Sequence, residues 1–278
     1  MKTVEETRKM IDEAVNKIRE EAPGFEPSAG IILGTGLGAL ANEIKPLKKI
    51  PYGEIPHFPV STVESHSGIL IAGEMQGKKV LAMSGRFHRY EGYSMKQIAF
   101  PVYVMKKLGV KNLFISNAAG GMNPAFKAGD LAVITDHINF MGDNPLLGPN
   151  DPELGPRWPD MIEPYSSALI KAAFDAGKEL GIELQKGVYM GVTGPNLETR
   201  AEYRMMGKFA DMVGMSTVPE VIAGVHAGMR ILGISVITDE CVPETLKPVN
   251  IEHILQNAAK AEPKLTAIMK AVIGRVDN

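Results

Sequence analysis

The chain has 278 residues, 45% of them hydrophobic, and a formal charge of −2 at pH 7, enough apolar length to bury a large core and too neutral a balance for the basic field of a nucleic-acid or acidic-membrane binder. Any anion must therefore be held locally. The one cysteine, Cys241, excludes an intrachain disulfide and reads as a buried thiol, and no apolar run reaches membrane-spanning length; together these features predict a cytoplasmic protein without membrane or nucleic-acid partners.

In chain order, Thr3 with Glu6 has the pattern of a capping box and predicts a helix to about Glu21, with Met10, Ala14, Val15 and Ile18 on one face. The stretch from Pro23 to Pro27 ends it. Apolar runs at 29–33, 69–72, 79–83, 111–116, 131–136, 186–192 and 230–238 predict strands, several too continuously apolar to have a wet face. Helical patterns at 94–108, 164–181, 199–209, 217–229 and 251–273 lie between them. The alternation predicts an α/β fold: a single domain over 1–278 whose central mixed β-sheet is flanked by helices. The loop from about Asn139 to Pro164, rich in Gly, Pro and Asp, is too long to be a mere connection and is expected to be functional.

Four stretches carry chemistry. Ser84-Gly85-Arg86-Phe87-His88-Arg89-Tyr90-Glu91-Gly92-Tyr93 sets a guanidinium, an imidazole and a phenol beside glycines. Arg matches an oxyanion bidentately and His can donate to it or move a proton, although such a run is also what an ordinary solvated turn contains. Gly34-Thr35-Gly36-Leu37-Gly38, Asn117-Ala118-Ala119-Gly120-Gly121 and Val213-Gly214-Met215-Ser216-Thr217-Val218-Pro219-Glu220 each follow a strand-like run and offer small residues. Small side chains let backbone amides approach an anion, and a helix starting just beyond each would add its positive end. The glycine run also satisfies the G-x-G-x-x-A fingerprint, with Glu54 twenty positions on, which keeps a dinucleotide-binding oxidoreductase as a competitor. That fold needs a second strand ending at the acid, and Pro46, Pro51, Pro56 and Pro59 interrupt the region. A noncatalytic small-molecule-binding module is the third reading, separable from an enzyme by turnover.

With Gly142-Asp143-Asn144-Pro145-Leu146 and Thr193-Gly194-Pro195-Asn196-Leu197-Glu198-Thr199 added, the sequence resembles the trimeric purine nucleoside phosphorylases from about Gly30 to about Val272. That family cleaves the N-glycosidic bond of purine nucleosides with inorganic phosphate, giving free base and sugar 1-phosphate. The resemblance implies a phosphorylase-type fold, a homotrimer, and phosphate as co-substrate with no metal or organic cofactor. It assigns phosphate to the Thr35 hydroxyl, His66, Arg86, His88, the Ala118 amide and Ser216. Tyr90 and Met215 would contact the ribose, with Tyr189 lining the same pocket. Leu197, Val213 and Gly214 would pack on the purine, with Glu198, Thr238 and Asp239 on its polar edge. His88, Glu198 and Asp239 carry the catalytic expectation, and Trp158 stands where the family sends an aromatic residue into a neighbouring subunit's sugar pocket. His57, His137 and His226 read as structural, and no histidine pair has zinc-site spacing.

The sequence departs from that pattern in places that bear on substrate. Leu197 replaces an aromatic, and Asp239 replaces an Asn that would donate to O6 or N7. An ionised Asp only accepts, which suits a 6-amino group; a protonated one could donate to N7. Glu198 matches the acceptor for N1–H of a 6-oxopurine. At the 5′ end of the sugar, Ile251, with Ile254, falls where a histidine is usual, as in methylthioadenosine phosphorylases, while a two-residue shift would place His253 there.

Overall fold

In the computed structural model, which describes residues 2–34, 37–60, 62, 67–246 and 248–277, Thr3 caps the first helix. Its hydroxyl accepts from the Glu6 amide and Glu6 reaches back to the Thr3 amide, satisfying amides that α1 (Val4–Glu21) would otherwise leave unpaired. Ile11, Ala14, Val15 and Ile18 form its buried stripe; Met10, expected on that face, is only partly buried against the core.

The strands are β1 (Ala29–Ile32), β2 (Lys45–Pro51), β3 (Ile69–Met75), β4 (Lys78–Ser84), β5 (Asn112–Gly121), β6 (Leu131–Asn139), β7 (Leu184–Gly191), β8 (Met212–Gly214) and β9 (Arg230–Glu240). Between them lie α2 (Met95–Lys107), α3 (Ser167–Leu180), α4 (Arg200–Met206) and α5 (Val218–His226), and α6 (Ile251–Ile273) follows. Among the described residues they form one sheet in the order β2-β3-β4-β1-β5-β8-β7-β6-β9, in which β5 also pairs with β9. The circuit β5-β8-β7-β6-β9 is thereby closed on itself. Helices α1, α2 and α5 share one core with one face of the sheet, and α3 and α6 share a second core on the other. This is the expected α/β fold with a mixed sheet.

Strand direction places the site. β1 runs parallel to β4 and β5, and β5 parallel to β9, so four carboxyl ends open on the same side, where α/β sheets bind ligands.

Three local expectations change. The prolines of 46–51 do not break the chain into loop: β2 is an edge strand, antiparallel to β3, with its register shift at Pro46 and Pro51 at its last position, where a missing N–H costs no ladder bond. This also ends the dinucleotide reading, because β1 leads through a short 3-10 turn, Ala39–Glu43, to an antiparallel edge strand rather than through a helix to a parallel one. Finally, Asn117–Gly121 continues β5 to ten residues and leads on toward β6; among the described residues an α-helix N-terminus stands directly behind only the third small-residue stretch, at α5.

Candidate active site

β4 ends at Ser84, and the segment beyond it alternates. Phe87 turns into the core, edge-on to Tyr52 at 5.2 Å and to Tyr93 at 5.9 Å, while Arg86 and His88 face a cleft at the strand ends. Gly85 makes the turn at φ +104°, a backbone region suited to glycine, and the Tyr52 hydroxyl donates to its carbonyl at 2.8 Å. The Arg86 guanidinium is buried. Its NH1 donates to Ser116 O at 3.0 Å and to Ser216 Oγ at 2.9 Å, and its Nε lies 3.1 Å from Glu220 Oε1.

His88 is set by Glu91. The carboxylate receives the His88 amide at 2.8 Å and stands 3.0 Å from Nδ1. Burial raises the Glu91 pKa, but hydrogen bonds from His88 and from the amide and hydroxyl of Thr62 outweigh it and hold the carboxyl at about 2. An ionised Glu91 only accepts, so the proton of this bond sits on Nδ1 of His88. The His88 ring stacks on Tyr90 at 4.6 Å. Burial first, then Glu91, pushes the Tyr90 phenol up to about 12, so it remains a neutral donor.

The third wall comes from a strained turn. Thr217 has φ +70° and ψ −51°, and Val218 N closes on Ser216 O at 2.7 Å: a γ-turn of the rare positive-φ kind, costly for a β-branched residue. What holds it is polar and buried. Asn117 Nδ2 donates to Thr217 Oγ1 at 2.8 Å, Ser216 Oγ lies 3.1 Å from the same oxygen, and Arg86 NH1 donates to it at 3.4 Å. Tyr189, buried beneath the cleft, accepts from the Ser216 amide at 3.3 Å, and its phenol is pushed upward chiefly by burial. Arg86, Ser216, Asn117 and the β5 backbone around Ala118 are thus gathered in one small polar hollow.

The fourth wall is a β-bulge. Ala119 pairs with Ile237 but Gly120 pairs with Asp239, leaving Thr238 as the extra residue of β9. Strict alternation would put only one of Thr238 and Asp239 on the cleft; the bulge turns both into it. Opposite them stand Val213, Gly214 and Met215, with Leu197 and Glu198 from the segment that precedes α4, Tyr203 from α4, and Ile254 from α6.

Most of the residues expected from sequence therefore meet. Arg86, His88, Ala118 and Ser216 line the polar end, and Tyr90, Leu197, Glu198, Val213, Gly214, Met215, Thr238, Asp239 and Ile254 the remainder. Tyr189 acts from below through Ser216 rather than as cleft lining. Ile251, the first residue of α6, is 61% exposed and outside the cleft, one helical turn before Ile254, which reaches it; His253 faces an adjoining cavity that shares Thr238, Asp239 and Ile254 with the cleft. Trp158 is 86% exposed and lines a separate hollow with His137 and Arg157. Thr35 and His66 lie outside the described residues. Sequence reasoning assigned no role to Asn117, Thr217, Glu220, Glu91, Tyr203 or Cys241. Asn117 and Thr217, like Arg86 and Glu220, meet across 100 or more residues of chain, whereas Glu91 and Cys241 act on the nearby His88 and Asp239; only the capping spacing from His88 to Glu91 was a readable signal. Among the described residues no cluster of His, Cys, Asp and Glu is placed to hold a metal ion, and no helix is long and apolar enough to cross a membrane.

A buried arginine with serine and backbone donors at the end of parallel strands, beside an apolar slot edged by two carboxylates, has the donors an oxyanion needs next to groups that suit a polar heterocycle. The model of the phosphorylase superfamily matches residues 28–274. The chain is 49% identical over 268 residues to purine nucleoside phosphorylase 1 of Bacillus subtilis, covering 96% of this chain and 98% of that one. It is 46% identical over 245 residues to the purine nucleoside phosphorylase of Mus musculus, covering 85% and 84%. Isoform 2 of the Schistosoma mansoni enzyme, solved with cytosine and ribose-1-phosphate, superposes with a TM-score of 0.92 at 41% identity and 97% coverage of each chain. Schistosoma mansoni structures with adenosine and with inosine superpose at 0.91 and 38% identity, covering 99% and 97% of both chains respectively. The chain belongs to the phosphorylase superfamily and, within it, to the purine nucleoside phosphorylases.

Proposed function

We propose that this chain cleaves the N-glycosidic bond of purine nucleosides with inorganic phosphate, releasing the free base and ribose or deoxyribose 1-phosphate. The observation that carries the reading is the convergence of Arg86, Ser216 and the β5 backbone with the bulged pair Thr238 and Asp239 in one cleft. Arg86, Ser216, His88 and the Ala118 amide hold phosphate, with Thr35 and His66 as the further donors assigned to it by resemblance. The sugar lies between them and the base, against Tyr90 and Met215.

Chemistry here is positioning plus charge stabilisation. The leaving purine gathers negative charge as the glycosidic bond breaks, and the oxocarbenium-like sugar is drawn toward the phosphate oxygen beneath C1′. Glu198 accepts from N1–H of a 6-oxopurine, making inosine and guanosine the main substrates; Asp239 accepts from a 6-amino group, extending the range to adenosine. Ile254 in the cleft favours a second reading, in which an apolar 5′ substituent such as methylthio is tolerated. Trp158, solvent-facing in the protomer, serves a neighbouring copy's sugar pocket in a homotrimer, and the enzyme works without metal or organic cofactor in the cytoplasm.

The test is chromatographic: inosine, guanosine, adenosine and methylthioadenosine, each with and without phosphate. Base released only in the presence of phosphate is the expected result; release by water alone, or none at all, rejects the assignment.

A further inference from the structure

Asp239 does not present a bare carboxylate to the cleft. Thr238 Oγ1 donates to Oδ1 at 2.8 Å and Cys241 Sγ donates to Oδ2 at 3.0 Å. Cys241 is 1% exposed and wedged against β5: a Cβ on Gly120 would sit 2.6 Å from its sulfur, and its amide is tied to Gly121 O at 2.7 Å. Burial, with Asp239 next to it, drives the thiol pKa far above its usual value, so the sulfur keeps its proton and remains a donor. Tyr203 packs in the same buried cluster as Cys241 and lines the cleft beside Glu198.

Both Asp239 oxygens accept hydrogen bonds from the protein. That arrangement favours the ionised form, whose two oxygens are the stronger acceptors. We propose that Cys241 is a specificity-determining positioning residue, whose thiol fixes Asp239 as an acceptor toward the purine 6-position and thereby supports turnover of 6-amino nucleosides. The inference rests on the phosphorolysis proposed above. A thiol that merely filled space between β5 and β9 would, on removal, loosen the cleft for every base alike. A thiol that orients an acceptor supports the base that donates to it and gives no support to one that presents O6.

The experiment compares kcat/KM for adenosine and inosine at saturating phosphate in wild type, Cys241→Ser and Cys241→Ala, with thermal unfolding of each. Cys241→Ala is expected to lower adenosine kcat/KM about five- to tenfold, the size of one lost neutral hydrogen bond, with inosine changed by less than about twofold. Cys241→Ser, which keeps a donor, retains the wild-type ratio. If the alanine variant unfolds, Cys241→Val supplies a filled, non-donating side chain for the same comparison. An unchanged adenosine-to-inosine ratio in the non-donating variant, a ratio that serine does not rescue, or a wild type that cleaves inosine but not adenosine overturns the proposal. A wild type that cleaves neither nucleoside with phosphate overturns the phosphorolysis reading instead.

Discussion

Arg86 Nε lies 3.1 Å from Glu220 Oε1 with the two side chains only 1% and 3% exposed. The charge expected to attract phosphate is thus compensated before phosphate arrives, and Glu220 itself sits in the first turn of α5, where the helix dipole favours an anion. Recognition of phosphate then depends on directed donors more than on excess positive charge.

Replacing Glu220 by Gln leaves a buried guanidinium without its counter-charge, a change that costs about 3–5 kcal/mol in comparable buried pairs. Phosphate can supply the missing charge. The melting temperature of Glu220→Gln is therefore expected to fall well below that of wild type, and added phosphate to raise it by a larger increment than in wild type. Equal increments in a thermal-shift titration would show that Glu220 and the phosphate site are not coupled.

Arg86→Ala removes the donor that Ser216 and phosphate share. A loss of about 2–4 kcal/mol, or roughly 30- to 1000-fold in kcat/KM for phosphate, is expected from a charged bidentate group. Because the single change strands Glu220, the double variant Arg86→Ala, Glu220→Gln should recover stability without recovering phosphate use. Unaltered phosphate kinetics in the folded double variant would remove Arg86 from the site.

Glu91 gives a pH signature. Its folded pKa is lowered from 4.5 to about 2. A depressed carboxylate contributes stability that is fully present above the unfolded value and is lost as pH falls toward the folded one, so the window is pH 4.5 down to about 2. Glu91→Gln should lower the melting temperature at pH 7 and flatten its decline between about pH 5 and 3. Parallel melting-temperature curves for the two proteins over that range would show that the Glu91 contacts contribute no pH-linked stability.

How far the sequence discloses this site follows from which interactions are local. Strands such as β1 and the central part of β9 are legible because burial on both faces writes continuous apolar runs, and α1 because Thr3 and Glu6 cap it within one turn. β8, three residues long, is too short to show a period, and β2 is hidden by Pro46 and Pro51, which only an edge position tolerates. Arg86, His88 and Ser216 stand in readable motifs, and Asp239 comes only from the family resemblance. Their arrangement is not readable: the bulge at Thr238 is set by pairing with Ala119 and Gly120 of β5, and the turn at Thr217 is held by Asn117 and Arg86. Ile251 lies outside the cleft and Ile254 one turn later lines it, because a match of residue type carries no information about which turn of α6 meets the cleft.

Trp158 offers a test of assembly. Its side chain is 86% exposed and outside the protomer's own cleft, an unusual setting for a tryptophan unless a partner covers it. If the proposed trimer brings it to a neighbour's sugar, Trp158→Ala and Arg86→Ala each cripple a different half of a shared site. Mixing the two proteins should then create some clefts with neither defect and raise activity above that of either parent. Verified subunit exchange without recovery would make Trp158 a local packing residue.

Asp239 is where base choice should turn. Its oxygens accept from Thr238 at 2.8 Å and from Cys241 at 3.0 Å, which leaves an acceptor-only group facing the purine. Such a group pairs with the adenine N6 amino group and repels O6 of hypoxanthine or guanine. In Asp239→Asn, Oδ1 can keep the Thr238 bond while Nδ2 takes the place of Oδ2, where the Cys241 sulfur can serve as a weak acceptor and the second amide proton is offered to the base. The charge disappears and a donor for O6 or N7 is gained. Sites built on a buried hydrogen bond discriminate strongly, because the wrong base leaves a group unpaired. The ratio of inosine to adenosine kcat/KM is therefore expected to rise about tenfold or more. A protonated Asp239 donating to N7 makes the opposite forecast: Asn would preserve the ratio and alter only the rate and its pH profile. Measuring both nucleosides on wild type and Asp239→Asn across pH separates the two. An unchanged ratio rejects the specificity role, and wild-type activity that climbs steadily with pH rejects the acid.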